Sequence, residues 1–269
     1  MRVLVIGDIC EDIFIMGSCP RMSPERPCPV FVVDQDPFVS NVGMAGNVEA
    51  NLRSLSPTVE IATLYPKTRS VKTRYVDKGS NQHLLRVDTD IAAQPMTDID
   101  FLEAVKARPD AIIISDYAKS FLDQDSMCYI AGWGKKNGVP VFCDTKSLLG
   151  PWSRDITFVK INAVEFDAQL KAGVKPWEEC GGLIATKGYQ GADLYDSSGS
   201  VFYHVDSGDI NVVDTVGCGD VFLAALTVRY METHRIQEAM RFASKACDIA
   251  VSKRGVVSIK RSEVTLIDG

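Results

Sequence analysis

The stretch Asn211-Val-Val-Asp-Thr-Val-Gly-Cys-Gly-Asp-Val-Phe-Leu223 constrains this chain more than any other. It reads as a short strand, a glycine turn and an apolar helix beginning near Val221. Gly217 and Gly219 let the backbone approach a ligand closely and take positive φ. Free N–H groups at the helix start, with the helix dipole, make an anion site. Asp220 falls beside it. A carboxylate there is electrostatically unfavourable unless it has work to do. The fitting work is to accept a proton from a hydroxyl that attacks a phosphoryl group, while the amides of Gly217, Cys218 and Gly219 hold the developing charge. On pattern alone, a Gly-rich turn with Asp220 as the helix N-cap remains the alternative.

The chain has 269 residues, which suits a single large α/β domain over 1–269. A net charge of −6 argues against nucleic-acid or anionic-membrane partners, so any phosphate binding must be local. No apolar run approaches the ~20 residues that span a bilayer. Met1-Arg-Val-Leu-Val-Ile-Gly7 reads as a buried parallel strand and not as a signal peptide. The eight cysteines contain no Cys-x-x-Cys and fit packing in a reducing cytoplasm.

From residue 100 onward, helices and strands alternate as in a doubly wound parallel sheet. Helices are expected over 99–107, 124–137 and 236–253, and strands over 111–115, 139–143 and 156–160. Polar residues follow several strands: Gly7-Asp8 and then Asp12, Asp116, and Asp144-Thr-Lys146. Strand ends of this kind are where ligands bind in open parallel sheets. Residues 13–40 and 71–90 read instead as antiparallel strands, the second pair turning at Asp77-Lys-Gly-Ser-Asn81. Lys72, Arg74 and Arg86 alternate along those strands and can share one face, as a phosphate site or as a guarded sheet edge. Lys146 suits a phosphate or a helix-end surface position. Asn162 and Glu165 fit a capping box as readily as a ligand site. His83 reads as a packing or edge residue. Only sixteen residues separate Leu55 from Lys72, too few for the ~30 of a strand–helix–strand unit. A helix is therefore expected to be missing near 56–71, and the apolar face left open would invite a dimer partner.

Asp214-Thr-x-Gly-x-Gly-Asp220 resembles the signature of the ribokinase (PfkB) family of sugar kinases, although Cys218 stands where that family usually has Ala. Ser23-Pro-Glu-Arg-Pro-Cys-Pro-Val30, Lys72-x-Arg74 and Asn81-Gln-x-Leu-Leu-Arg86 resemble the bacterial heptose-7-phosphate kinases. The resemblance implies a three-layer α/β/α sandwich with a mainly parallel sheet and a small β lid. It implies ATP and Mg2+, with Asp220 as base acting on D-glycero-D-manno-heptose 7-phosphate at its anomeric hydroxyl. Asp12, Gly43 and Asn47 would orient the sugar, and Lys72, Arg74, Arg86 or Lys146 would meet its phosphate. Without the family, Asp12 reads as a solvated loop carboxylate and Asn47 as a helix cap. In the family's Gly-Gly-Ala-x-Asn pattern, Met44 replaces the second glycine. Thr186, Gly188, Asp214 and Thr215 would line the nucleotide, and Asn162 and Glu165 would place magnesium indirectly. Only fourteen residues follow Gly255, so a nucleotidyltransferase domain is not expected within this sequence. The implied partners are small molecules and a second copy through the lid. A kinase for another sugar or nucleoside, and a non-catalytic binding or regulatory protein, remain as alternatives.

Overall fold

Strands that are apolar on both faces must be covered on both faces, and that requirement builds this fold. The computed structural model describes residues 1–265, apart from the side chains of 35–39 and 265. In chain order, β1 (Arg2–Gly7) leads to the long strands β2 (Ile9–Met22) and β3 (Pro29–Met44). Then come α1 (Ala45–Leu55), β4 (Glu60–Leu64), β5 (Ser70–Asp77) and β6 (His83–Thr89). The alternating part follows: α2 (Asp98–Val105), β7 (Ala111–Asp116), α3 (Gln124–Asn137), β8 (Val141–Thr145), β9 (Phe158–Asn162), α4 (Ala163–Lys171) and β10 (Leu183–Thr186). A hairpin of β11 (Ala192–Tyr195) and β12 (Val201–Val205) precedes α5 (Cys218–Thr233), α6 (Ile236–Val251) and α7 (Arg261–Thr265).

The main sheet has eight strands in the order β12-β11-β10-β9-β8-β7-β1-β4. Its strands run parallel from β10 to β4, and the hairpin adds an antiparallel edge. Val3 and Val5 of β1 enter one core with α1, α5 and α6, whereas Leu4 and Ile6 enter the other with α2 and α3. The result is a three-layer α/β/α sandwich. Every residue of α5 from Val221 to Val228 is buried, as expected of a helix that is apolar all round. A second, four-stranded sheet of order β3-β2-β5-β6 rises from the strand ends of the first.

Several boundaries differ from those read in the sequence. The helix expected from Val221 starts at Cys218, inside the glycine motif, because Gly217 at φ 76° makes the turn itself. The strand expected from Val139 starts at Val141, after Pro140, which has no N–H for the ladder. Between α1 and β5 the chain forms only β4, which pairs in parallel with β1 at the sheet edge. No helix lies between β4 and β5.

The C-terminal segment is tied to α1 by Asn51, which is fully buried. Its Nδ2 donates to the Asn47 carbonyl and Oδ1, both at 2.9 Å, and to the Val257 carbonyl at 3.2 Å. Its Oδ1 accepts from the Ile259 amide at 3.0 Å. Asn51→Leu would leave those backbone groups buried without partners. It is expected to cost about 1–3 kcal/mol per orphaned group, read as a lower urea midpoint.

Candidate active site

Asp220 is the third residue of α5 and only 3% exposed. Its Oδ1 accepts from the Tyr117 hydroxyl at 2.7 Å, and its Oδ2 accepts from Asn47 Nδ2 at 3.0 Å. Burial pushes its pKa up to about 6, against the opposing pull of those two hydrogen bonds. Asp220 is not a helix cap. That place belongs to Gly217, without any side-chain cap bond.

The two glycines of the turn serve different needs. Gly217 takes positive φ, and a Cβ there would stand 2.6 Å from Asn47 Nδ2. Gly219 is helical, contrary to the expectation of positive φ. A Cβ on it would stand 2.8 Å from Lys160 Nζ, so any side chain there would have to displace that ammonium. Of the three amides expected to hold an anion, that of Cys218 donates to the Thr215 carbonyl at a long 3.3 Å. The Gly217 and Gly219 amides have no protein acceptor among the described residues.

On the side of the second sheet, Asp12 is neither in a loop nor solvated. It lies within β2, 3% exposed, with its carboxylate ion-paired to the equally buried Arg74 of β5. A Cβ on Gly43 would stand 2.1 Å from Asp12 Oδ2, so only glycine fits opposite this pair. Met44 takes φ 58° and ψ −132° as the N-cap of α1, a backbone region that usually demands glycine. Asn47 is therefore not the cap; it sits inside the first turn, 1% exposed, and reaches Asp220 and the Gly217 carbonyl.

The basic residues are distributed unevenly. Lys72 and Lys146 flank the Tyr117 ring, with their Nζ atoms 5.5 Å and 5.0 Å from its centre. Lys146 also pairs with Glu165. Arg86 lies opposite Arg74 in the strand register, half in solvent and paired with Asp88. Lys72, Arg74 and Arg86 thus share one face of the second sheet, but Arg74 and Arg86 already hold carboxylates.

A cavity of about 530 Å³ opens on the other side of the glycine turn. Thr186, Gly188, Thr215 and the Gly217–Gly219 turn lie on its wall, as do Lys146 and Asn162. Asp214 does not. Its two oxygens accept from the Val216 and Gly255 amides at 3.0 and 2.9 Å, pinning the loop to the end of α6. Asn162 and Glu165 form a reciprocal capping box on α4 at 2.9 and 2.8 Å.

Sequence reasoning did not single out Lys160 or Tyr117 as site residues. Lys160 is 3% exposed and donates to Asp144 Oδ2 at 2.6 Å. Burial opposes its charge, but the Asp144 carboxylate more than offsets that, and the ammonium titrates above its usual range. The available signal was a lysine near the end of an apolar strand, since a buried charge requires a partner. Asp144 lines the cavity, and its Oδ1 is buried without a partner. Among the described residues no group of three or more His, Cys, Asp or Glu could by itself hold a metal. This donor set suits magnesium only as a largely hydrated ion beside one or two carboxylates.

The description "pfkB family carbohydrate kinase" matches residues 58–262. The chain belongs to that family. Relatives of the family named "Bifunctional protein HldE" include one from Bradyrhizobium diazoefficiens, 30% identical over 310 aligned positions, and one from Rhodopseudomonas palustris, 29% identical over 309. Each match covers 97% of this chain, and the chain spans 62% of each relative's length. Those alignments are longer than the chain's own 269 residues, so the relatives carry residues within the matched region that this chain lacks. The ribokinase of Thermotoga maritima is similar in structure, with TM-score 0.74 at 18% identity, covering 98% of both chains. Escherichia coli phosphofructokinase-2 in complex with potassium gives 0.74 at 16% identity, covering 99% of this chain and 97% of its own. The fold is thus ribokinase-like. No helix among the described residues is long and apolar enough to cross a membrane.

A carboxyl whose folded pKa lies above its unfolded 3.8 favours folding while it is protonated, and that contribution is lost as pH rises through about 6. Asp220→Asn keeps the neutral form at every pH. It is expected to raise stability by roughly 2–3 kcal/mol at pH 8 and by progressively less toward pH 4. Thermal unfolding of both proteins across that range checks this.

Proposed function

We propose that this chain transfers the γ-phosphoryl group of ATP to the anomeric hydroxyl of D-glycero-D-manno-heptose 7-phosphate. The observation that carries the reading is Asp220. It is a buried carboxylate at the start of α5, next to two amides without a partner among the described residues and between the cavity and the Asn47–Asp12 side. Support for the substrate comes from the heptose-kinase-like wording of residues 23–30 and 72–86 and from the similarity to the HldE proteins.

In this reading Asp12, Gly43 and Asn47 orient the sugar. Lys72 and Lys146 receive its phosphate, with Arg74 and Arg86 behind them. Asp220 accepts the anomeric proton as that oxygen attacks the γ-phosphorus and the bond to ADP breaks. The amides of Gly217 and Gly219, joined by that of Cys218 once it leaves Thr215, stabilise the transferring group, with Lys160 beneath Gly219. Thr186, Gly188 and Thr215 face the nucleotide, and Asp214 holds the loop of Thr215 in place. Asn162 and Glu165, with Asp144 nearby, would hold a hydrated magnesium ion, which would supply neutralising charge at the nucleotide phosphates. A cytoplasmic homodimer through the second sheet completes the proposal; exposed Leu84, Leu85 and Val87 on β6 give it an apolar contact.

A second reading, a binding or regulatory protein on the same scaffold, is favoured by two observations. Arg74 already occupies Asp12, and no helix lies between β4 and β5. ATP consumption with magnesium across a panel of free and phosphorylated sugars separates the readings. Turnover with the heptose 7-phosphate, falling ~10²–10⁴-fold in Asp220→Asn, is the expected result. Binding of ATP or sugar without turnover would establish the second reading.

A further inference from the structure

Cys218 stands inside the glycine turn, and its thiol has no part in the chemistry above. It is the first residue of α5, at a helix N-terminus, where a thiolate is favoured. Cys247 lies on α6, which packs along α5, and its Sγ sits 3.3 Å from the Cys218 carbonyl oxygen. Both thiols are partly exposed on the wall of the same open cavity. The neighbouring Cys247 thiol holds Cys218 below the ordinary thiol range against the effect of burial, with the Lys160 charge adding to it. The same contact, with burial, pushes Cys247 well above that range. Two neighbouring thiols, one of them at a helix N-terminus, are the arrangement of an attacking and a resolving cysteine.

We infer that Cys218 and Cys247 are a redox pair that reacts with small-molecule disulfides of the glutathione type and, once joined, disables the anion site. The Cys218 thiolate attacks one sulfur of the small disulfide, whose S–S bond breaks and releases one thiol after proton uptake. Cys247 then loses its proton and attacks Cys218 Sγ, releasing the second small thiol. In total the two protein thiols lose two electrons and the small disulfide gains them. Joining the pair clamps Cys218, which lies between the two amides that must face a phosphoryl group. A reducing thiol reverses each step.

The consequence for activity rests on the proposed kinase reading; the thiol chemistry does not. The test therefore reads thiols first. The whole protein is incubated with oxidised glutathione at neutral pH, alkylated after denaturation and mapped by peptide mass spectrometry. A disulfide between Cys218 and Cys247 is expected to form severalfold faster than any modification of the more exposed Cys19, Cys28 and Cys128. In Cys247→Ser, a glutathione adduct is expected to persist on Cys218. Oxidised wild type should lose ATP binding and regain it with dithiothreitol. Preferential reaction at Cys19, Cys28 or Cys128, or a Cys218 adduct that Cys247 never resolves in the wild type, would overturn the inference. Pair formation with ATP binding unchanged would overturn its claim about the anion site.

Discussion

Asp220 accepts hydrogen bonds from two elements far apart in the chain, Asn47 of α1 and Tyr117 just after β7. Both donors are themselves held. Asn51 grips Asn47 from one turn further along α1 and reaches the C-terminal segment as well. The Tyr117 amide donates to Asp8 at the end of β1, and two lysines lie against the Tyr117 ring. Placing one carboxylate thus fixes how α1, α5 and the strand ends meet. The arrangement is costly in isolation, because a fully buried carboxylate resists ionisation. Two donors offset part of that cost, and what remains leaves a carboxyl with its pKa raised to about 6.

A second buried charge lies directly below. Lys160 and Asp144 come from neighbouring parallel strands and meet beneath Gly219. Buried ion pairs are weak sources of stability, so this one is better understood through what it presents. It sets an ammonium under the glycine turn and leaves one Asp144 oxygen without a partner among the described residues. Both features suit a place where phosphate oxygens and a hydrated cation come and go.

Much of the architecture could be read from periodicity. Doubly apolar strands such as Val3–Ile6 and Ile112–Ile114 demand two covered faces, and the short span between Leu55 and Lys72 leaves no room for a helix. The glycine motif located α5 and its carboxylate. The partners of that carboxylate were less legible, because Tyr117 and Asn47 lie 103 and 173 residues away from it and only tertiary contact joins them. Spacing likewise could not show that Arg74 crosses from β5 to Asp12, since β2 and β5 are neighbours only after β3, α1 and β4 have intervened. Nor could it separate Asp214, which braces a loop, from Thr215, which faces the cavity.

The account depends on Asp220 acting as a base with a raised pKa, and the pH dependence of kcat/KM for sugar-dependent ATP turnover reads that most directly. Only the ionised carboxylate can take the proton. The rate should therefore rise with pH, about tenfold per unit below the pKa, and level off above about 6. A profile flat from pH 5 to 8, or one with its rise near the ordinary carboxylate value, would contradict the account.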